Sequence, residues 1–168
     1  MRLFFALWPP PETAQALARW AAEVHRQSGG KINAVENIHL TLAFLGEAPP
    51  EPAIGAARGI KGRRHQLPID AARYVKKNEM VWVGPATMPP ELAALAADLR
   101  NVLTSAGFAL EERPFAAHVT LLRKAHMPKS IPPLPRVEWP VEEFVLVRSR
   151  TSPQGSVYEP LERFALHA

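Results

Sequence analysis

The tripeptide His-x-Thr occurs twice, as His39-Leu40-Thr41 and His118-Val119-Thr120, and each copy is followed by leucine inside a run of alternating apolar residues. Side chains alternate faces along a strand, so His39, Thr41, Ala43 and Leu45 are expected on one side and Leu40, Leu42 and Phe44 on the other. Six histidines and six threonines in 168 residues would yield only about 0.2 such tripeptides by chance. The copies stand 79 residues apart (118 − 39), close to half the chain. A fold that repeats one strand setting at that interval is expected to form two lobes about a pseudo-two-fold axis, although similarity outside the motifs is weak. A lone histidine on an apolar strand reads as a core residue. Two matched imidazole and hydroxyl pairs read as chemistry.

The rest of the chain divides in the same way. Arg2–Trp8 reads as a strand, and after Pro9-Pro10-Pro11 the segment from Glu12 to Gln27 carries Leu17, Trp20, Ala21 and Val24 at helical spacing up to Gly29-Gly30. The first motif strand, Ile38–Leu45, is followed by a short helix between Glu51 and Lys61. Leu67–Tyr74 and Met80–Val83 read as a hairpin closed by Lys76–Glu79. Pro90–Ala106 places Leu92, Leu95, Ala96, Leu99, Val102 and Leu103 on one helical face, with Gly107 as the stop. After the second motif strand, Ala116–Leu122, come a proline-rich loop and β-like segments at Val137–Val147 and Ser156–Leu166.

Composition narrows the chemistry. At 168 residues, 47% hydrophobic and 21% charged, the chain fits one globular domain over 1–168, with 18 prolines assigned to connections and strand edges. With no cysteine there is no thiolate nucleophile, disulfide framework or Cys-ligated metal site, which leaves histidine, hydroxyl and carboxylate groups. The run from Leu3 to Trp8 is too short for a signal-peptide core, and no stretch approaches the length of a membrane span, so a cytoplasmic protein with no membrane partner is expected. The formal charge of +4 favours anionic partners, nucleic acid among them. Basic residues cluster at Arg58–Arg64, Arg73–Lys77, Arg123–Lys129 and Arg148–Arg150; solvated faces are the competing reading.

These residues resemble the two-histidine phosphoesterase superfamily, and within it the LigT-like RNA 2′,3′-cyclic phosphodiesterases, also called 2′-5′ RNA ligases. The resemblance is carried by Arg2-Leu-Phe-Phe-Ala6, His39-Leu-Thr-Leu-Ala-Phe-Leu-Gly46, Phe115-Ala-Ala-His-Val-Thr-Leu-Leu-Arg123, Phe144-Val-Leu-Val-Arg-Ser149 and Gly155-Ser-Val-Tyr158. It implies a bilobed α+β fold with two antiparallel sheets lining a central cleft, helices on the outside and the motif strands facing each other. The implied substrates are RNA ending in 2′,3′-cyclic phosphate, or cyclic nucleotides, acted on by a monomer without metal or other cofactor. The region from Glu51 to Ala86 is not distinctive. Strict alternation points Arg123 away from His118 and Thr120, so a bulge or strand end has to turn it toward a phosphate.

Opening a cyclic phosphodiester requires a base for the attacking water and an acid for the departing ribose oxygen. Two imidazoles near pKa 6.5 can divide those tasks at neutral pH. The resemblance assigns His39 as acid and His118 as base, giving a 2′-phosphate, while ligation by a 5′-hydroxyl stays open. Thr41, Thr120 and Arg123 are the expected donors to the non-bridging oxygens. Phe4 and Tyr158 are candidate nucleobase stackers, whereas Phe44 is assigned to core packing.

Two rival chemistries lack support. A metallohydrolase has no His-Glu-x-x-His spacing to draw on, and a serine hydrolase has no Gly-x-Ser-x-Gly elbow. A non-catalytic RNA- or nucleotide-binding module using the same cleft is the alternative of a different class, distinguished by turnover. His25, His65, His126 and His167 are expected at the surface.

Overall fold

The computed structural model describes residues 1–168. In chain order the elements are β1 (Arg2–Leu7), α1 (Pro11–Ser28), β2 (Lys31–Ile32), a 3-10 turn (Val35–Asn37), β3 (Leu40–Glu47), α2 (Pro50–Ala57), β4 (His65–Ile69), β5 (Ala71–Val75) and β6 (Met80–Gly84). The second half adds α3 (Pro90–Ser105), β7 (Val119–Arg123), β8 (Val137–Val141), β9 (Glu143–Ser152) and β10 (Gly155–Ala165). All three helices have proline in the first turn, where its missing N–H costs nothing and its fixed φ suits the helix.

The architecture is α+β, with antiparallel strands throughout. The main sheet runs β10-β9-β1-β3-β7-β6-β5, with β2 also on β7, and β4 pairs separately with β8. Two half-sheets, β10-β9-β1-β3 and β7-β6-β5, meet between the motif strands, which pair at Leu40 and Val119. β4 and β8, each the next strand after a motif strand, pair with one another. Both patterns agree with the expected pseudo-two-fold relation.

One face of the main sheet is covered. Leu3, Phe5 and Leu7 of β1, Leu40 of β3, Val81 and Val83 of β6 and Val119 of β7 join Leu17, Trp20 and Val24 of α1 and Leu92, Leu95 and Leu99 of α3 in one continuous core. Burial at about 25 cal/mol per Å² of apolar area makes this layer the main source of stability. The other face carries His39, Thr41, His118 and Thr120.

Three local expectations are corrected. Leu67–Tyr74 is not one strand: it breaks at Asp70, whose carboxylate accepts the Ala86 N–H at 2.7 Å, and the two pieces belong to different sheets. Val137–Val147 likewise divides between β8 and β9. His65 is buried, at 9% exposure, because it shares the inward face of β4 with Leu67 and Ile69; its Nδ1–H donates to the Arg63 carbonyl at 2.9 Å.

Candidate active site

Leu40 and Val119 both point into the core, so the flanking histidines and threonines of both motifs lie on the opposite, open face. Antiparallel register through that pair sets His39 beside Thr120 and Thr41 beside His118. The pseudo-two-fold axis therefore passes between the motifs and exchanges them.

Each motif strand then makes the same irregularity. On β3, Thr41 pairs with Ala6 and Ala43 with Phe5, leaving Leu42 unpaired; on β7, Thr120 pairs with Trp82 and Leu122 with Val81, leaving Leu121 unpaired. A bulge reverses the alternation beyond it. Arg123 consequently faces the same side as Thr120. Its counterpart five residues after the first histidine, Phe44, is turned out by the Leu42 bulge as well. Phe44 is 45% exposed with the Arg2 guanidinium 5.3 Å from its ring centre, which corrects its assignment to the core.

Both imidazoles are held by the same short-range bond. Nδ1 of His39 donates to the Asn37 carbonyl at 2.7 Å, and Nδ1 of His118 donates to the Ala116 carbonyl at 3.0 Å. A carbonyl oxygen only accepts, so Nδ1 carries the proton in both rings and Nε2 is left to exchange one.

The rings are also clamped by aromatic side chains that the motif pattern does not reveal. Trp8 stacks on His39 with centroids 4.7 Å apart and planes 12° apart, and Trp82 stacks on His118 at 4.0 Å and 21°. Phe4 and Tyr158 complete the surround of His39 at 5.1 and 5.2 Å. Phe4 is only 3% exposed, packed beneath His39, Trp8 and Tyr158, so it offers no open face to a base and its expected stacking role is corrected to packing. Tyr158 stands edge-on to His39 and stays partly exposed. The signal for Trp82 was present in the sequence: Val81 and Val83 claim the core side of β6, which puts a large aromatic on the other face.

Burial pushes His39 below the ordinary histidine range; the Asn37 carbonyl opposes this, while the positive charges of Arg123 and His118 add to it. Burial lowers His118 too, opposed by the Ala116 carbonyl. No three His, Asp or Glu side chains converge in a way that could hold a metal ion.

The half-sheets, the mirrored bulges and the two Nδ1-locked imidazoles together define a phosphoesterase of the two-histidine class. One family model, LigT like Phosphoesterase, matches residues 7–82 and again residues 83–158, one motif in each match. The chain belongs to the LigT-like phosphoesterase family. It is 38% identical over 170 residues to the RNA 2′,3′-cyclic phosphodiesterase of Escherichia coli (strain K12), covering 98% of this chain and 96% of that protein. The RNA 2′,3′-cyclic phosphodiesterase of Thermus thermophilus is 36% identical over 179 residues, covering 99% and 90%. The crystal structure of E. coli LigT complexed with 3′-AMP superposes with a TM-score of 0.90 at 36% identity, covering 98% of this chain and 97% of that one.

Proposed function

We propose that this chain, as a single two-lobed unit over residues 1–168, hydrolyses RNA 2′,3′-cyclic phosphate ends, and 2′,3′-cyclic nucleotides, to 2′-phosphates by paired histidine acid–base catalysis. The observation that carries the reading is the pair of imidazoles related by the Leu40–Val119 axis, each with Nδ1 committed to a backbone carbonyl. The names of its full-length relatives support the same substrate class.

In this reading the His118 Nε2 takes a proton from water as the oxygen attacks phosphorus. His39 Nε2–H protonates the 3′ oxygen as the P–O3′ bond breaks, leaving the phosphate on the 2′ oxygen. Thr41, Thr120 and Arg123 donate to the non-bridging oxygens as negative charge builds there. The free protein disfavours a charged imidazole, since burial and Arg123 act against it. A bound phosphodiester brings one negative charge into that space and so restores protonation of one ring when it is needed. The acid then forms mainly in the substrate complex.

The unit is proposed to act as a cytoplasmic monomer; no helix is long and apolar enough to cross a membrane. The test is incubation of the purified protein with an oligonucleotide ending in a 2′,3′-cyclic phosphate, followed by separation of 2′- and 3′-phosphate products. A 2′-phosphate is expected. A 3′-phosphate would reverse the two histidine roles, and no turnover would leave a binding module.

A further inference from the structure

Because the pseudo-two-fold axis exchanges the motif threonines, the strands flanking them can be compared position by position. From Thr41 the row across the sheet runs through Ala6 of β1 to Val145 of β9; from Thr120 it runs through Trp82 of β6 to Arg73 of β5. Residues paired in register share a face, so both rows lie on the histidine side of the sheet. The outer positions differ in chemistry. Val145 is 2% exposed, and β10 pairs alongside β9. Arg73 is exposed on β5, the last strand of its half-sheet. The lobe that carries His118 therefore ends in an open cation where the other lobe ends in a covered valine.

The Arg73 guanidinium lies 5.8 Å from the ring centre of Trp82, which is itself stacked on His118. It pairs with no carboxylate, and neither do Lys76 and Lys77, exposed in the turn that follows β5. An unpaired guanidinium beside an aromatic ring suits a phosphate, which it can meet with its planar fork of donors. Neighbouring strands lie about 4.8 Å apart, so the Arg73 backbone is roughly 10 Å from that of Thr120. Arg123, on the motif strand itself, serves the reacting phosphate. Arg73 stands two strands further out, where a second phosphate would lie.

In-line displacement puts the nucleophile opposite the departing 3′ oxygen, and so on the His118 side of the phosphorus. We propose that Arg73 binds a phosphate of a second RNA strand, the one whose 5′-hydroxyl takes the place of water beside His118. In that transfer His118 Nε2 takes the hydroxyl proton as the 5′ oxygen bonds to phosphorus. The P–O3′ bond breaks, His39 Nε2–H protonates the 3′ oxygen, and a 2′-5′ phosphodiester is left. The inference rests on the cyclic phosphodiesterase reading and on its assignment of His118 as base. Arg73 selects the molecule that brings the nucleophile and takes no part in the proton transfers.

The experiment measures 2′-phosphate formation from saturating adenosine 2′,3′-cyclic phosphate while an acceptor with a free 5′-hydroxyl is added. The acceptors are a 3′-5′-linked adenosine dinucleotide, its uncharged methylphosphonate analogue, and adenosine. Saturating donor keeps all three out of the donor's own place. In the wild type the charged dinucleotide should suppress 2′-phosphate formation, by excluding water or by diverting the donor into 2′-5′-linked product. It should do so at a concentration about tenfold below that of either uncharged acceptor, the lower end of the scale for a charge-assisted hydrogen bond. Arg73→Gln should bring that ratio close to one, and Arg73→Lys should keep part of it. The readout is a ratio within one protein, so any general effect of the substitution on His118 through Trp82 cancels. The comparison of charged and uncharged acceptors needs no variant, so it decides against the proposal even if Arg73→Gln does not fold. No suppression at saturating donor, equal suppression by charged and uncharged acceptors, or a ratio that survives in Arg73→Gln would overturn the Arg73 proposal and leave the phosphodiesterase reading intact. A 3′-phosphate from the donor alone would overturn it by moving the nucleophile to the His39 side. No turnover of the donor would overturn both readings.

Discussion

Leu40 pairs with Val119 across the junction of the two half-sheets, and this one pair fixes the placement of all four motif side chains. Both residues are fully buried against the helical layer. Leu40→Ala is therefore expected to cost about 2–5 kcal/mol in stability, the usual range for a buried leucine truncation. It should also lower activity in the protein that remains folded, because the register between the histidines loosens. Chemical denaturation with parallel kinetics checks this; an unchanged denaturation midpoint would show that the junction is not under packing control.

Removing either imidazole should abolish most turnover. His39→Ala and His118→Ala are each expected to lower kcat by about 100-fold or more, the scale for a general acid or base, with little change in the melting temperature. A near-normal rate in either variant would take that histidine out of the chemistry.

Thr41→Val, Thr120→Val and Arg123→Ala should act on the transition state, at about 2–4 kcal/mol each if they behave as oxyanion donors. Arg123→Lys should recover only part of the loss, since the ammonium keeps the charge without the planar donor fork. Comparing kcat/KM across the series checks both statements. Full activity in Arg123→Lys would reduce its role to charge alone.

Trp82→Ala opens one face of His118. Burial is the main cause of the lowered His118 pKa, so the variant should titrate at higher pH than wild type when followed by imidazole NMR, and Trp82→Phe should stay near wild type. The stacking contact itself is worth about 0.5–1.5 kcal/mol, which sets the expected loss in kcat/KM. An unmoved His118 titration in Trp82→Ala would mean that the tryptophan does not shield the ring.

The lowered imidazole pKa values also order the pH profiles. In the free protein both rings give up their protons below the ordinary histidine value, so kcat/KM, which reports free enzyme, should peak on the acidic side of neutrality and fall as pH rises. Bound anionic substrate raises those values, so the kcat profile should sit at higher pH than the kcat/KM profile. Coincident profiles would show that the substrate charge does not reach the histidines.

Much of this arrangement is legible in the sequence because strand alternation and helical spacing are local. The motif strands, the three helices and the need for a turn before Arg123 all follow from period and punctuation. The bulges are not local: Leu42 and Leu121 are unpaired because of what β1 and β6 present opposite them, and so strict alternation assigns Phe44 to the wrong face. Phe4 and Tyr158 were recognisable as aromatics near the motif, yet their division into buried support and partly exposed wall depends on three strands meeting. The stack of Trp8 on His39 depends on the pairing of β1 with β3, which sets Leu7 opposite Leu40, a relation with no short-range signature.

The most direct test of the two-histidine account is the dependence of kcat on pH, measured with EDTA present on a 2′,3′-cyclic phosphate substrate for the wild type, His39→Ala and His118→Ala. The wild type should trace a bell whose two limbs belong to the coupled imidazole pair, and each variant should retain one limb at its residual rate. Activity lost to the chelator and restored by a divalent ion, or a wild-type bell unchanged in shape when either histidine is removed, would contradict it.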